Sequence, residues 1–382
     1  MPSVHFSDEH EQLRAQLARF IASEVVPAGE AWEEAGCVPR EVLRRMGALG
    51  FLGIRHAEEF GGSGLGPLAS VVLAEECGRS SFGGFSATVL VHTDMASPHL
   101  RHAGSAAQLA RYMPAIVRGE TITAIAVTEP DAGSDVAGMK TRARRDGSDW
   151  ILSGSKMFIT NGALADVCFV AARTDADAKG SRGISIFIVE KGMPGFTVGR
   201  RLRKHGWLCS DTAELVFDDC RLPAENLLGE ENRGFYAIMQ NFQNERLVLG
   251  AMAVGECRLA LELTRAYVAQ RKAFGGVLAD KQAIRQRLAM REAETEAAAQ
   301  LVYHAAHLAE SGADAVREVS MVKALCGELV SRVLYDCLQF HGGAGYLRDT
   351  PIERMARDAR IHAIGGGATE VMLEEVAKRW PR

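Results

Sequence analysis

The sequence holds a carboxylate where a carboxylate is expensive. "FQNERLVLG" sets Glu245 in a long apolar-periodic segment, and its neighbours at helical spacing are Asn241, Phe242, Val248, Leu249 and Met252. That face is mostly apolar, so an acid there needs a purpose or a partner. The ordinary explanation is an ion pair with Arg246 or Arg271. Adjacent helix positions point about 100° apart, which makes Arg246 a poor partner. A dry carboxylate is a stronger base than a solvated one. The second pointed feature is "IGGGATE", residues 364–370, where three glycines sit between helical stretches. Side chains are absent there, so something can approach the backbone closely.

Four other stretches could hold a ligand. "AVTEPDAGSD", Ala126–Asp135, is a turn able to present N–H groups and hydroxyls to a polar ring or a phosphate. "SGSKMFITNG" offers Phe158 to pack on a heterocycle and Thr160 to bond its edge. "QRKAFG" offers Arg271 for a phosphate and Phe274 for a ring. "QFHGGAGY" sets Gly342, Gly343 and Gly345 beside a helix end. Each also has an ordinary structural explanation: a capped loop, a core aromatic, a basic helix terminus or a helix stop. From the residues alone both explanations stand.

The elements that must position these groups fall into three zones. Residues 1–121 are helical in period, with Ser7 suited to cap the first helix and Pro39 to start another. Residues 122–232 carry short Val-, Ile-, Phe- and Thr-rich runs separated by turns, among them "DWILSG" and "KMFIT", which predict an all-β domain, a barrel or a sandwich. Residues 233–382 return to long helices and predict a bundle of four: one from residue 235 to 274, then Lys281–Ser311, Val316–Phe340 and Pro351–Lys378. The fold class is thus α+β, with clefts between domains as the natural ligand sites.

Gross composition agrees with an ordinary globular chain. The 382 residues are 47% hydrophobic and 24% charged, and the formal net charge of −4 argues against nucleic acid or an anionic membrane as partner. Eight scattered cysteines form no C-x-x-C pair, so reduced buried thiols are expected and no metal site. No apolar run is long enough to predict a transmembrane helix, and the acidic amphipathic N-terminus does not look like a signal peptide; a cytoplasmic protein is expected.

Together the motifs resemble the acyl-CoA dehydrogenase family nearly end to end. "TEPDAGSD", "KMFITNG", "RKAFG", "QFHGGAGY", "RDARI" and "GGGATE" carry the resemblance, and "SDTAELVFDDCRLPAENLLGEEN" with "NERL" is similar to its long-chain branch. The resemblance implies non-covalent FAD between the β domain and the bundle. Val127, Thr128, Gly133, Ser134, Phe158 and Thr160 would line the flavin, with Ala368 and Glu370 near the dinucleotide in the last loop. Arg271, Phe274, Gln282, Gln339, Gly342 and Gly343 would touch the FAD of a neighbouring subunit.

The implied reaction removes an α-proton to a carboxylate and a β-hydride to flavin N5 of an acyl-CoA thioester. Many relatives place the base at the position of Gly366, which cannot supply it here. The long-chain and isovaleryl branches place it at the position of Glu245, so Glu245 is the expected base. Phe242, Ser134, Arg246 and the backbone N–H of Gly366 are the expected substrate contacts. An electron-transferring flavoprotein and a homotetramer built as a dimer of dimers are implied as partners. The expected substrate is a medium- or long-chain acyl-CoA. The alternatives are a short branched acyl-CoA, a carrier-bound acyl thioester, or a flavin-binding protein without activity.

Overall fold

The computed structural model describes residues 4–178 and 180–380. Seven helices come first: α1 (Asp8–Phe20), α2 (Gly29–Ala35), α3 (Arg40–Ala48), α4 (Pro67–Gly78), α5 (Gly83–Leu90), α6 (Ser97–Ala103) and α7 (Ala106–Val117). Ser7 caps α1 as expected, accepting from the His10 N–H, while the His10 ring accepts from the Ser7 N–H. Pro39 stands directly before α3. Between α5 and α6 the chain forms a wider π-turn, Val91–Ala96, with every residue buried.

Eight strands follow: β1 (Thr123–Ala126), β2 (Arg142–Asp146), β3 (Asp149–Thr160), β4 (Val167–Arg173), β5 (Ile184–Glu190), β6 (Phe196–Arg201), β7 (Thr212–Leu222) and β8 (Leu227–Leu228). They form two leaves, β6–β7–β3–β2 and β1–β4–β5–β8, joined by one bridge between Arg142 and Arg173. Trp150 of one leaf meets Phe187 of the other at 5.2 Å between ring centroids, inside a shared core with Leu152, Val170, Leu215 and Phe217. The outer face of the second leaf packs Phe169, Ile186 and Ile188 against α6 and α7. Burial on both faces explains why β4 and β5 read as continuous apolar runs. The sequence stretches "DWILSG" and "KMFIT" are one strand, β3, not two. What looked like a turn is a pair of irregularities in its pairing with β7, at Leu152/Gly154 and Lys156/Ile159.

The bundle opens with α8 (Gly234–Gln270), a single helix of 37 residues. A short hairpin, β9 (Lys272–Ala273) with β10 (Gly276–Val277), leads into α9 (Gln282–Glu310) and α10 (Val316–His341). The expected fourth long helix over Pro351–Lys378 is broken. It becomes α11 (Pro351–Ala359), a tight turn at Arg360–Ala363, the glycine loop, and α12 (Thr369–Ala377). The cause is backbone geometry: Gly366 and Gly367 have φ of +65° and +110°, which no helix contains. Helix α8 lies against α4 at near-backbone contact, since a Cβ on Gly255 would stand 2.1 Å from the Glu75 carbonyl oxygen. All eight cysteines are free thiols, and among the described residues no helix is long and apolar enough to cross a membrane.

Candidate active site

Helix α8 carries Glu245 on a face where Val248 and Met252 are fully buried and Leu249 and Asn241 nearly so. The side chain is half-buried, and protein packs closely round the carboxyl. Burial raises it to about 7, against the opposing pull of Arg246 and Lys323. The alternative partner Arg271 caps the far end of α8, roughly 38 Å along the helix axis, and cannot reach it. The glycine loop comes to Glu245 directly. A Cβ built on Gly366 would lie 3.2 Å from Glu245 Oε1, 2.3 Å from Leu249 Cδ1 and 3.7 Å from Lys323 Cε. The carboxylate therefore borders the loop from the helix side, and Leu249 fills the space a side chain at 366 would need.

Arg246 completes this cluster. Its guanidinium carbon lies 5.6 Å from the centroid of the Phe242 ring, and its Nε is buried with no hydrogen-bond partner among the described residues. Burial weakens its hold on the proton. A Cβ on Gly367 would stand 3.5 Å from that same Nε, so the loop passes closely over it. One chain thus brings together Phe242, Glu245, Arg246 and Gly366. Two neighbours of the loop are less central: Ala368 is the residue just before α12 and Glu370 is exposed in its first turn.

A second group lies on the sheet. The Lys156 ammonium is fully buried and donates to the Val127 carbonyl at 3.0 Å and to Glu129 at 2.7 Å. Burial works against ionisation of Glu129, but Lys156 and the N–H groups of Lys140 and Thr141 hold its carboxyl below the usual range. This pair anchors the Ala126–Asp135 turn from beneath. The Met157 N–H donates to the Thr128 carbonyl at 2.9 Å, tying that turn to β3. Phe158 follows with φ of +62°, an uncommon conformation for an aromatic residue, and its ring is 64% exposed. The core reading of Phe158 is therefore wrong: the backbone bends to aim it outward. Gly133 and Ser134 are exposed beside open space, and Val127 and Thr128 line the base of the turn. An exposed ring beside free hydroxyl and backbone groups fits a flat heterocycle.

The remaining predicted residues form a third group at the other end of the bundle. Arg271, Phe274 and Gln282 sit on the tip between α8 and α9, and Phe274 is 90% exposed. Gln339, Gly342 and Gly343 are exposed where α10 ends. Tyr267 stacks on His341 at 4.3 Å and donates to its carbonyl oxygen, joining the two helix ends. A single chain does not bring this group to Glu245.

Profiles of the acyl-CoA dehydrogenase N-terminal, middle and C-terminal domains match residues 7–120, 124–220 and 232–380. The chain belongs to the acyl-CoA dehydrogenase family. It is 43% identical to the long-chain specific acyl-CoA dehydrogenase of Mus musculus over 98% of this chain and 87% of that one. It is 39% identical to the isovaleryl-CoA dehydrogenase of Pongo abelii, covering 96% and 87%. The crystal structure of an acyl-CoA dehydrogenase from Geobacillus kaustophilus superposes with a TM-score of 0.95 at 39% identity, covering 99% of both chains. As an acyl-CoA dehydrogenase this chain is an FAD-dependent oxidoreductase. The platform of Thr128, Ser134 and Phe158 has the chemistry to hold the isoalloxazine.

Sequence reasoning missed three groups. Lys156 and Glu129 lie within quoted motifs but reveal themselves only as a buried pair. Lys323 sits in "SMVKALCGELV", a lysine in an apolar run, and that contrast was the available signal.

Proposed function

We propose that this acyl-CoA dehydrogenase oxidises a medium- or long-chain acyl-CoA to the trans-2-enoyl-CoA, with Glu245 as the base for the α-proton. The observation that carries this is the approach of Glu245 to the Gly366 backbone. The loop that has no carboxylate of its own is bordered by one from α8.

FAD, when bound, supplies the acceptor for the β-hydride. The chain's own residues do the rest. Glu245 receives the α-proton in surroundings that keep it a competent base. The Gly366 backbone offers an N–H to the thioester oxygen, and hydrogen bonds there stabilise the developing enolate. The unpartnered Arg246 Nε offers a further donor beside Phe242.

Only the ionised form of Glu245 accepts a proton. The rate of flavin reduction should therefore rise with pH through about 7 and level off above it. Stopped-flow reduction across a pH series checks this, and a rate already flat from pH ~5 upward contradicts it.

The acyl chain is supported by the 43% identity to a long-chain enzyme. The 39% identity to an isovaleryl-CoA dehydrogenase favours a short branched acyl group as the second reading. A panel of CoA thioesters from butyryl to stearoyl, straight and branched, separates them: kcat/KM should peak among the longer straight chains. An electron-transferring flavoprotein as acceptor and a homotetramer complete the proposal. The exposed Phe274 and Tyr346 are the kind of surface an assembly covers.

A further inference from the structure

Lys323 lies on α10, only 2% exposed, with no task in the scheme above. Its ammonium donates to the His362 carbonyl at 2.5 Å and to the Gly367 carbonyl at 3.0 Å. Those two carbonyls bracket the glycine loop, one on each side of residues 364–366. The approach is built into α10 itself: one turn further on, a Cβ at Gly327 would stand 2.7 Å from the same His362 oxygen. Only glycine there lets the loop sit close enough for the lysine to reach both flanks. Lys323 Cε also lies 3.7 Å from the position of a Cβ on Gly366, the point Glu245 borders at 3.2 Å.

We propose that Lys323 is a positioning residue of this active site: it clamps both flanks of the glycine loop and places a positive charge behind the base. The inference rests on Glu245 being that base. The clamp fixes where the residue 366 backbone lies against the substrate. The charge acts on Glu245 through space, since the hydrogen bonds of Lys323 go to the loop.

The electrostatics have a definite sign. Burial drives Lys323 down to about 8, and Glu245 opposes that. Burial drives Glu245 up to about 7, and Arg246 and Lys323 oppose that. The other groups around the pair are Cys326 on α10, which acts on Lys323, Glu375 and Arg379 near α12, which act on Arg246, and Asp94 of the π-turn, to which Asn244 donates. Removing the Lys323 charge leaves burial less opposed. The Glu245 carboxyl then titrates at higher pH, and less of it is ionised near neutrality. A burial this deep is hard to justify for an ammonium that only fills space.

Two variants separate the clamp from the charge. Lys323→Met keeps the length and removes both. Lys323→Gln removes the charge and keeps an N–H donor. For Lys323→Met the maximal rate of flavin reduction should fall about 10- to 100-fold, the scale of a small misplacement at a reacting centre. The acidic limb of its pH profile should move to higher pH. For Lys323→Gln the limb should move likewise, but the rate on the alkaline plateau should recover most of the loss.

A second readout needs no turnover. Infrared difference titration of the Glu245 carboxyl, with Glu245→Gln as the blank, should show the same upward shift in both variants. FAD content and melting temperature report folding.

An unmoved Glu245 titration in a folded Lys323→Met overturns the proposal. So does a fall in rate without movement of the limb. A Gln variant as slow as Met on the plateau overturns the clamp. A wild-type protein that no CoA thioester reduces removes the functional reading instead, and the carboxyl titration still decides the Lys323–Glu245 coupling.

Discussion

Glu245→Gln is expected to slow flavin reduction by an acyl-CoA by ~10²–10⁴-fold, the usual loss when a general base is removed, while the protein keeps its FAD. Gln matches Glu in size and can occupy the same space beside the Gly366 backbone, so the loop and the packing of Leu249 are undisturbed. The folding signature is also specific. The Glu245 carboxyl is held at about 7 in the folded protein, above its ordinary range. The folded state therefore binds its proton more tightly than the unfolded chain does. Wild-type stability falls as pH rises from ordinary carboxylate values towards 7, and the penalty stays in full above that. The Gln variant lacks this penalty. Its melting temperature relative to wild type should be higher at pH ~8 than at pH ~5. Stopped-flow reduction with paired thermal melts at the two pH values reads both effects. Near-normal reduction of the flavin in the Gln variant would remove Glu245 from the chemistry.

The second large effect is expected at Gly366. Relatives that carry their base in the terminal loop suggest moving a carboxylate back to that position. The structure predicts that Gly366→Glu fails, both alone and in the Glu245→Gln background. The backbone there has φ of +65°, and a Cβ would collide with Leu249 Cδ1 at 2.3 Å. Strain of this kind costs about 1–3 kcal/mol at one residue, before any clash is relieved. Both variants should melt several degrees lower and reduce at the level of Glu245→Gln or below. Adding Leu249→Ala removes the obstructing methyl group. Any rescue should appear only in that triple variant. Recovery of turnover in the double variant, measured with the thioester that wild type prefers, would show that Leu249 is no obstacle.

Much of this architecture was legible before any coordinates. The caps at Ser7 and Pro39 and the long run of α8 follow from patterns that act locally, within a turn or two. The glycine loop was visible as well, and so was the misplaced acid at residue 245. What failed to show was anything that depends on distant segments meeting. "DWILSG" and "KMFIT" looked like two strands because the bulges between them are set by register against β7, which lies more than fifty residues away. For Phe158 the residues alone leave ligand platform and core ring both open, because nothing in its neighbours reveals a positive φ. The Lys156–Glu129 pair is silent for the same reason, since a buried ion pair is recognisable only once its two strands are known to meet; Lys323 differs, because a lysine set in an apolar run is visible in the sequence although its carbonyl partners are not. A single last helix over Pro351–Lys378 joins the apolar periodicity found on either side of the glycines, whereas two positive φ angles at Gly366 and Gly367 interrupt the backbone between them.

Helix α8 also has a mechanical meaning. Glu245 stands about three turns into it, and Gln270 ends it roughly 38 Å further on, beside the exposed Arg271–Phe274 tip. A stiff rod of that length is a lever. A tilt of about 1° about Glu245 would sweep the tip through ~0.7 Å. The close seat of α8 on α4 at Gly255, between those two points, opposes that swing and so holds the angle from which the acid faces the glycine loop.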